Sequence, residues 1–240
     1  MTIHRFFINP DLITEKIITL PEEISHQITQ VLRLKSEAKI ILLDNTGFEY
    51  LVKLIDVNKK HTIAELIEKK ENKNEPDVKV HLFMALIARD NFELVLQKSV
   101  ELGVTEITPI ITERTQFDKK FAEAKYERWN KIIKESSEQS ERAILPILNN
   151  PINFESAIIE ATQKGESYIA WEKETSGTLN RHAELVSASH TINIFIGPEG
   201  GFTEQEIEFA KQNDVKPISL GKTILRAETA AIALIAKIMI

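Results

Sequence analysis

Glycine is scarce in this chain of 240 residues, eight in all, yet four of the eight fall between Gly197 and Gly221. Ile196-Gly197-Pro198-Glu199-Gly200-Gly201-Phe202 follows an apolar run that reads as a buried strand. A helix is expected straight after it, because Thr203 and Glu206 stand at the spacing of a capping box. Glycine at such a junction lets backbone N–H groups approach a ligand beside the positive end of a helix. Glu199 adds one carboxylate to that loop. The plain alternative is a tight strand-to-helix turn with no ligand.

The second cluster runs Leu220-Gly221-Lys222-Thr223-Ile224-Leu225-Arg226-Ala227-Glu228-Thr229-Ala230. Gly221-Lys222-Thr223 invites comparison with a P-loop, but the first glycine of G-x-x-x-x-G-K would fall on Lys216. A Walker site is excluded on that ground. No strand-linked G-x-G-x-x-G occurs either, so a standard dinucleotide fold is unsupported. Arg226 and Glu228 bring a cation and a carboxylate to the start of a helix, which an ordinary charged helix start also explains. Glu93, Gln97 and Glu101 share one face at i,i+4 spacing with Lys98 beside it. Ser136-Ser137-Glu138-Gln139-Ser140-Glu141-Arg142 ends another helix in polar residues, with Pro146 following. A solvated helix face accounts for both segments. The six histidines are scattered and no H-E-x-x-H occurs, so no metal is assigned.

These segments need elements to hold them. Lys39–Asp44 reads as a buried strand, Asn45-Thr46-Gly47 as a turn, Phe48–Val57 as a second strand and Thr62–Ile67 as a third. Ser25–Leu34 has helical spacing, with Ile28, Val31 and Leu32 on one face. Short strands around one helix predict a small barrel over residues 1–70. The polar run 71–77, the end of the Lys- and Glu-rich stretch Glu68–Asp77, is the expected linker. Beyond it the rhythm changes. Strands are expected at Val78–Ile87, Val104–Ile111, Tyr168–Trp171, Ile192–Ile196 and Val215–Leu220. Helices are expected from a cap at Asn91 to Gly103, and over Phe121–Glu138, Phe154–Gln163, Glu204–Gln212 and Ala227–Ile238. Alternating strands and helices imply an α/β domain over 78–240 with a parallel sheet covered on both faces. Thr175–Thr191 is polar without a period and reads as a loop.

Composition bounds the chemistry further. The chain has no cysteine, which excludes a disulfide frame, a thiol nucleophile and cysteine-bound zinc or iron–sulfur clusters. The first ten residues do not read as a secretory segment, and the longest apolar run is too short to span a bilayer, so a cytoplasmic protein is expected. A formal net charge of −6 argues against nucleic acid in the simplest case. The charge is uneven, however. Residues 1–75 hold 11 basic and 12 acidic side chains and residues 76–240 hold 19 and 24, which leaves room for a local basic face.

The run Leu96–Val104, then Glu138-Gln139-Ser140 with Arg142 and Pro146, then Ile196–Gly201, then Leu220-Gly221 with Ile224–Ala230, resembles one family along essentially the whole chain. That family is ribosomal RNA small subunit methyltransferase E, of the SPOUT class of S-adenosylmethionine-dependent RNA methyltransferases. His26 followed by Val31-Leu32-Arg33, and the opening Arg5-Phe6-Phe7, are similar to its N-terminal signatures. The resemblance implies a PUA-like β-barrel that helps hold RNA, joined to an α/β domain with a deep trefoil knot, and a homodimer. It implies methylation of uridine N3 in 16S rRNA, with S-adenosylmethionine held by Ile196, Gly197, Glu199, Gly200, Gly201, Leu220, Gly221, Ile224, Leu225 and Thr229. Leu220, Ile224 and Leu225 would supply apolar walls. Glu199 or Glu228 is then the candidate base for the N3 proton, and Arg226 the group facing the uracil oxygen that gains charge. Arg5, Arg33, Arg89, Arg114 and Arg142 become candidate RNA contacts. The family usually carries a basic residue two before the position of Glu93; this chain has Asn91 there, with Arg89 close by. A relative acting on tRNA or on a ribose 2′-oxygen, or a non-catalytic RNA-binding module on the same scaffold, stands as the alternative.

Overall fold

The computed structural model describes residues 3–13, 15–174 and 191–240. These divide into two compact units, Met1–Glu75 with Ser137–Leu145, and Pro76–Ser136 with Pro146–Ile240.

In the first unit, β1 (Arg5–Phe7), β2 (Ile17–Leu20), β3 (Lys39–Leu43), β4 (Phe48–Asp56) and β5 (Thr62–Glu71) form a curled five-stranded sheet in the order β1-β3-β4-β5-β2. Only the β1–β3 pair is parallel. Alternation along the strands buries Ile40, Leu42, Val52 and Leu54 against Ile24 and Ile28. The short helix α1 (Glu22–His26) carries Ile24, and a wider turn of helix over Gln27–Val31 carries Ile28. That widening rotates Val31 outward to 66% exposure, so it leaves the apolar face expected of it. β5 continues to Glu71, taking the first part of the Lys- and Glu-rich run into the sheet.

The segment Ser137–Leu145 belongs to this unit although its flanks belong to the other. The Glu75 carboxylate accepts hydrogen bonds from the amides of Ala143 (2.7 Å) and Ile144 (2.9 Å) and pairs with the Arg142 guanidinium at 3.1 Å. Glu138 accepts from the amide of Phe7, and Ala143 packs with Phe7, Ile41 and Leu43. Ser136, Ser137 and Arg142 are buried. The solvated face expected of this motif is therefore overturned, because the chain uses it to complete the sheet's outer layer.

In the second unit the elements are β6 (Lys79–Ala85), α2 (Arg89–Glu101), β7 (Glu106–Ile111), α3 (Lys119–Glu123), α4 (Tyr126–Gln139), β8 (Ile147–Leu148), β9 (Ile152–Asn153), α5 (Phe154–Lys164), β10 (Gly165–Ala170), β11 (Thr191–Ile196), α6 (Glu204–Gln212), β12 (Lys216–Ile218) and α7 (Ala227–Met239). The last three residues of α4 fall in the first unit. Seven parallel strands make one sheet in the order β12-β10-β11-β6-β7-β8, with β9 beside the far end of β7. Strand alternation sends Val80, Leu82 and Met84 to one face, under α2, α4 and α7. It sends Phe83 and Ala85 to the other, under α5 and α6. An α/β class with both faces covered is what the sequence pattern predicts. The helix expected over Phe121–Glu138 is instead two, broken at Ala124-Lys125. The loop expected over Thr175–Thr191 lies outside the described residues except Thr191, which opens β11.

Candidate active site

The loop carrying Gly197, Gly200 and Gly201 and the loop carrying Gly221 leave the carboxyl ends of parallel strands β11 and β12, where open α/β sheets place their ligand crevices. There, in the second unit, a cavity of about 580 Å³ opens between the loops after β10, β11 and β12. Its size is in the range of pockets that hold nucleoside-sized ligands.

The loop after β11 folds back on itself through a hydrogen bond from the Gly201 amide to the Pro198 carbonyl, 2.9 Å. Gly201 sits at φ +67°, a conformation that suits glycine. A Cβ on Gly197 would lie 3.1 Å from the Phe202 ring, a tight contact that a bare backbone avoids. The expected capping box is present. Thr203 Oγ1 accepts from the Glu206 amide, and Glu206 returns a bond to the Thr203 amide at 2.8 Å. Glu206 also accepts from the Glu113 amide, which ties the loop after β7 to the same helix start. Arg114 in that loop donates to the Gly200 carbonyl at 2.7 Å.

Of the residues expected at a cofactor site, Ile196, Gly197, Glu199, Gly200, Gly201, Leu220, Gly221, Ile224 and Leu225 line the cavity. Thr229 does not: it lies exposed on the outer side of α7, while Ala230 turns toward the cleft. The three residues expected to carry chemistry, Glu199, Arg226 and Glu228, all line it. Glu199 Oε1 accepts from the Ala88 amide at the start of α2, 3.1 Å away. Arg226 is the N-cap residue of α7, and Glu228 is only 8% exposed in its first turn, where free helix amides favour a negative charge. Ile224 is 86% exposed at the rim.

Asn91 was expected to cap α2. It stands instead in the first turn, after the N-cap Ala88, and lines the cavity. Ala170, Trp171, Glu172 and Phe202 line it as well, and the sequence reading missed them. Among the described residues Trp171 Nε1 is buried without an acceptor. The available signal was topological: Trp171 and Glu172 follow directly on β10, the strand that pairs with β11.

The candidate RNA-binding arginines are scattered. Arg33 is exposed at φ +53°. Arg5 is bridged to Glu141 at 2.9 Å. Arg89 donates to Glu93 at 3.1 Å, and Arg128, which the sequence reading did not single out, clasps the same carboxylate at 2.6 and 2.7 Å. The Arg128 guanidinium, helped by Arg89, holds the Glu93 carboxyl down at about 2. Arg142 is a correction. At 4% exposure and bound to Glu75 it braces the first unit and presents no surface to RNA.

Among the described residues no group of three or more potential ligands is placed to hold a metal, and no helix is long and apolar enough to cross a membrane.

Residues 73–239 match the family model of the RNA methyltransferase domain, and residues 20–67 that of the RNA methyltransferase PUA domain. The chain is 34% identical over 242 residues to ribosomal RNA small subunit methyltransferase E of Buchnera aphidicola subsp. Schizaphis graminum, covering 99% of this chain and 96% of that one. It is 35% identical to the protein of the same name from Mesomycoplasma hyopneumoniae, with 98% of each covered. Among solved structures it is similar to ribosomal RNA small subunit methyltransferase E from Neisseria gonorrhoeae bound to S-adenosyl methionine. There the TM-score is 0.88 at 31% identity, over 98% of this chain and 96% of that one. A Legionella pneumophila methyltransferase with bound SAM matches at TM-score 0.83 and 28% identity, over 98% and 96%.

Proposed function

The chain belongs to the ribosomal RNA small subunit methyltransferase E family, and from that premise we propose that it transfers the methyl group of S-adenosylmethionine to N3 of a uridine in 16S rRNA. One observation carries the reading. The glycine loops and the three charged residues Glu199, Arg226 and Glu228 line one cavity of fitting size at the carboxyl edge of the sheet. The bare Gly197 and Gly201 backbones suit close contact with an adenosine-bearing ligand.

When bound, S-adenosylmethionine supplies a methyl group already activated by its sulfonium. The chain's work is then alignment of donor and acceptor and management of one proton. Uridine N3 is a poor nucleophile until its proton leaves. Glu199 or Glu228 accepts that proton, and Arg226 faces the uracil oxygen that takes up the negative charge. N3 lies on the pairing edge, so the target base must be unpaired or turned out of its stack. Arg33, Arg89 and Arg114 serve as RNA contacts in this reading.

The trefoil knot and the homodimer belong to the same proposal. Light scattering should give the mass of two 27.3 kDa chains, and a single-chain mass would remove the dimer. The reaction itself is tested by incubating the protein with S-adenosylmethionine and unmethylated small subunits, then digesting the 16S rRNA to nucleosides. N3-methyluridine is the expected product; a 2′-O-methylated nucleoside, or none, would refute the assignment.

A further inference from the structure

Five charged side chains line the cavity: Glu172, Glu199 and Glu228 against Lys222 and Arg226. Two of the carboxylates are committed by the fold. Glu199 is bonded to the Ala88 amide, and Glu228 is buried in the first turn of α7. Glu172 has no hydrogen bond or ion pair among the described residues. Its sequence neighbour Lys173 is taken by Glu204 at 2.7 Å. Both cavity cations stand on the loop after β12, whereas Glu172 follows β10.

Glu172 is exposed and lies against the glycine loop. A Cβ on Gly201 would come within 3.2 and 3.3 Å of its two carboxylate oxygens, so the side chain runs close over the bare glycine backbone. A carboxylate with no cation bound to it among the described residues thus stands at the cavity wall. An unpaired carboxylate at a cavity wall favours a cationic group of the ligand. S-adenosylmethionine carries two cations, the sulfonium and the ammonium of its amino-acid tail, and only the ammonium has hydrogen-bond donors to offer a carboxylate. The ribose hydroxyls are neutral and gain less from a charged partner.

We propose that Glu172 holds the α-ammonium group of S-adenosylmethionine and so selects a ligand with an intact amino-acid tail. This rests on the cofactor reading but not on which RNA atom is methylated. Calorimetry with the unmodified chain and with Glu172→Gln, using S-adenosylhomocysteine and 5′-methylthioadenosine as probes, tests it. Both probes carry adenosine and a thioether, and only the first carries the tail. Glu172→Gln should weaken S-adenosylhomocysteine binding by about tenfold or more, the scale of one charge-assisted contact, and leave methylthioadenosine binding unchanged. Retained methylthioadenosine binding also shows that the variant's cavity is built. Equal losses for both probes would assign the carboxylate to the ribose or to the loop itself, and an unchanged affinity for S-adenosylhomocysteine would remove Glu172 from the site; either result overturns the proposal. Failure of the unmodified chain to bind S-adenosylhomocysteine would instead refute the cofactor reading beneath it.

Discussion

Glu199 is bonded through one oxygen to the amide that opens α2, while its residue lines the cavity. A carboxylate fixed in this way is oriented without being neutralised, which is what a general base requires. Glu199→Gln keeps the shape and the acceptor oxygen but removes the basicity. It is expected to lower single-turnover methyl transfer by about 100-fold or more while leaving cofactor affinity nearly unchanged. Parallel losses in turnover and in calorimetric affinity would make Glu199 a structural strut and move the base to Glu228. At this scale the sequence was legible where a residue type is itself unusual. Glycines crowded into two loops, with Glu199 and Arg226 inside them, point to the cavity directly. Trp171 and Glu172 carry no such mark. Only the pairing of β10 with β11 brings them to the site, and pairing is not written in local pattern.

One row of side chains shows how an element can tie stability to pH. Ser167, Asn193, His81 and Glu106 stand opposite one another across β10, β11, β6 and β7. His81 is fully buried, with Nε2 at 2.7 Å from Thr108 Oγ1. Burial outweighs the attraction of Glu106, 3.5 Å from Nδ1, and pushes the ring's pKa down to about 4, so it is neutral at pH 7. Glu106 stays ionised despite its own burial, because Asn149 and Lys164 bond to it and oppose that cost. The sign for His81 follows from its folded pKa lying below the unfolded value of 6.5. Between those two values the unfolded chain binds the extra proton, so acidification favours unfolding, by at most about 1.4 kcal/mol per pH unit. Urea melts from pH 7 to 5 should show this loss, and His81→Gln should flatten it. An equally steep slope in the variant would assign the effect to other groups. Elements with a long, clear period were legible: α6 and α7 begin where their patterns begin. The break in the Phe121–Glu138 pattern was not, because its apolar spacing continues through the interruption at Ala124-Lys125.

The whole molecule interleaves its two units in sequence. Residues 137–145 pack on the sheet of the first unit after the chain has already built part of the second. A division into consecutive segments at a polar linker could not foresee this. The contact depends on Glu75 meeting two amides and Arg142 some 67 to 69 residues later. Net charge misled in a related way. The total of −6 counts against RNA, but it is a sum over the chain, while phosphate contacts depend on where single basic groups stand; Arg33 and Arg114, which the proposed reading assigns to RNA, are exposed. The absence of cysteine is consistent with a methyl transfer that needs no thiol. The central claim, that this chain methylates uridine N3 in 16S rRNA, is tested most directly by mass spectrometry of 16S rRNA nucleosides from cells lacking the gene, beside the parent and a complemented strain. The account predicts that N3-methyluridine disappears and returns with the intact chain; an unchanged level in the deletion would contradict it.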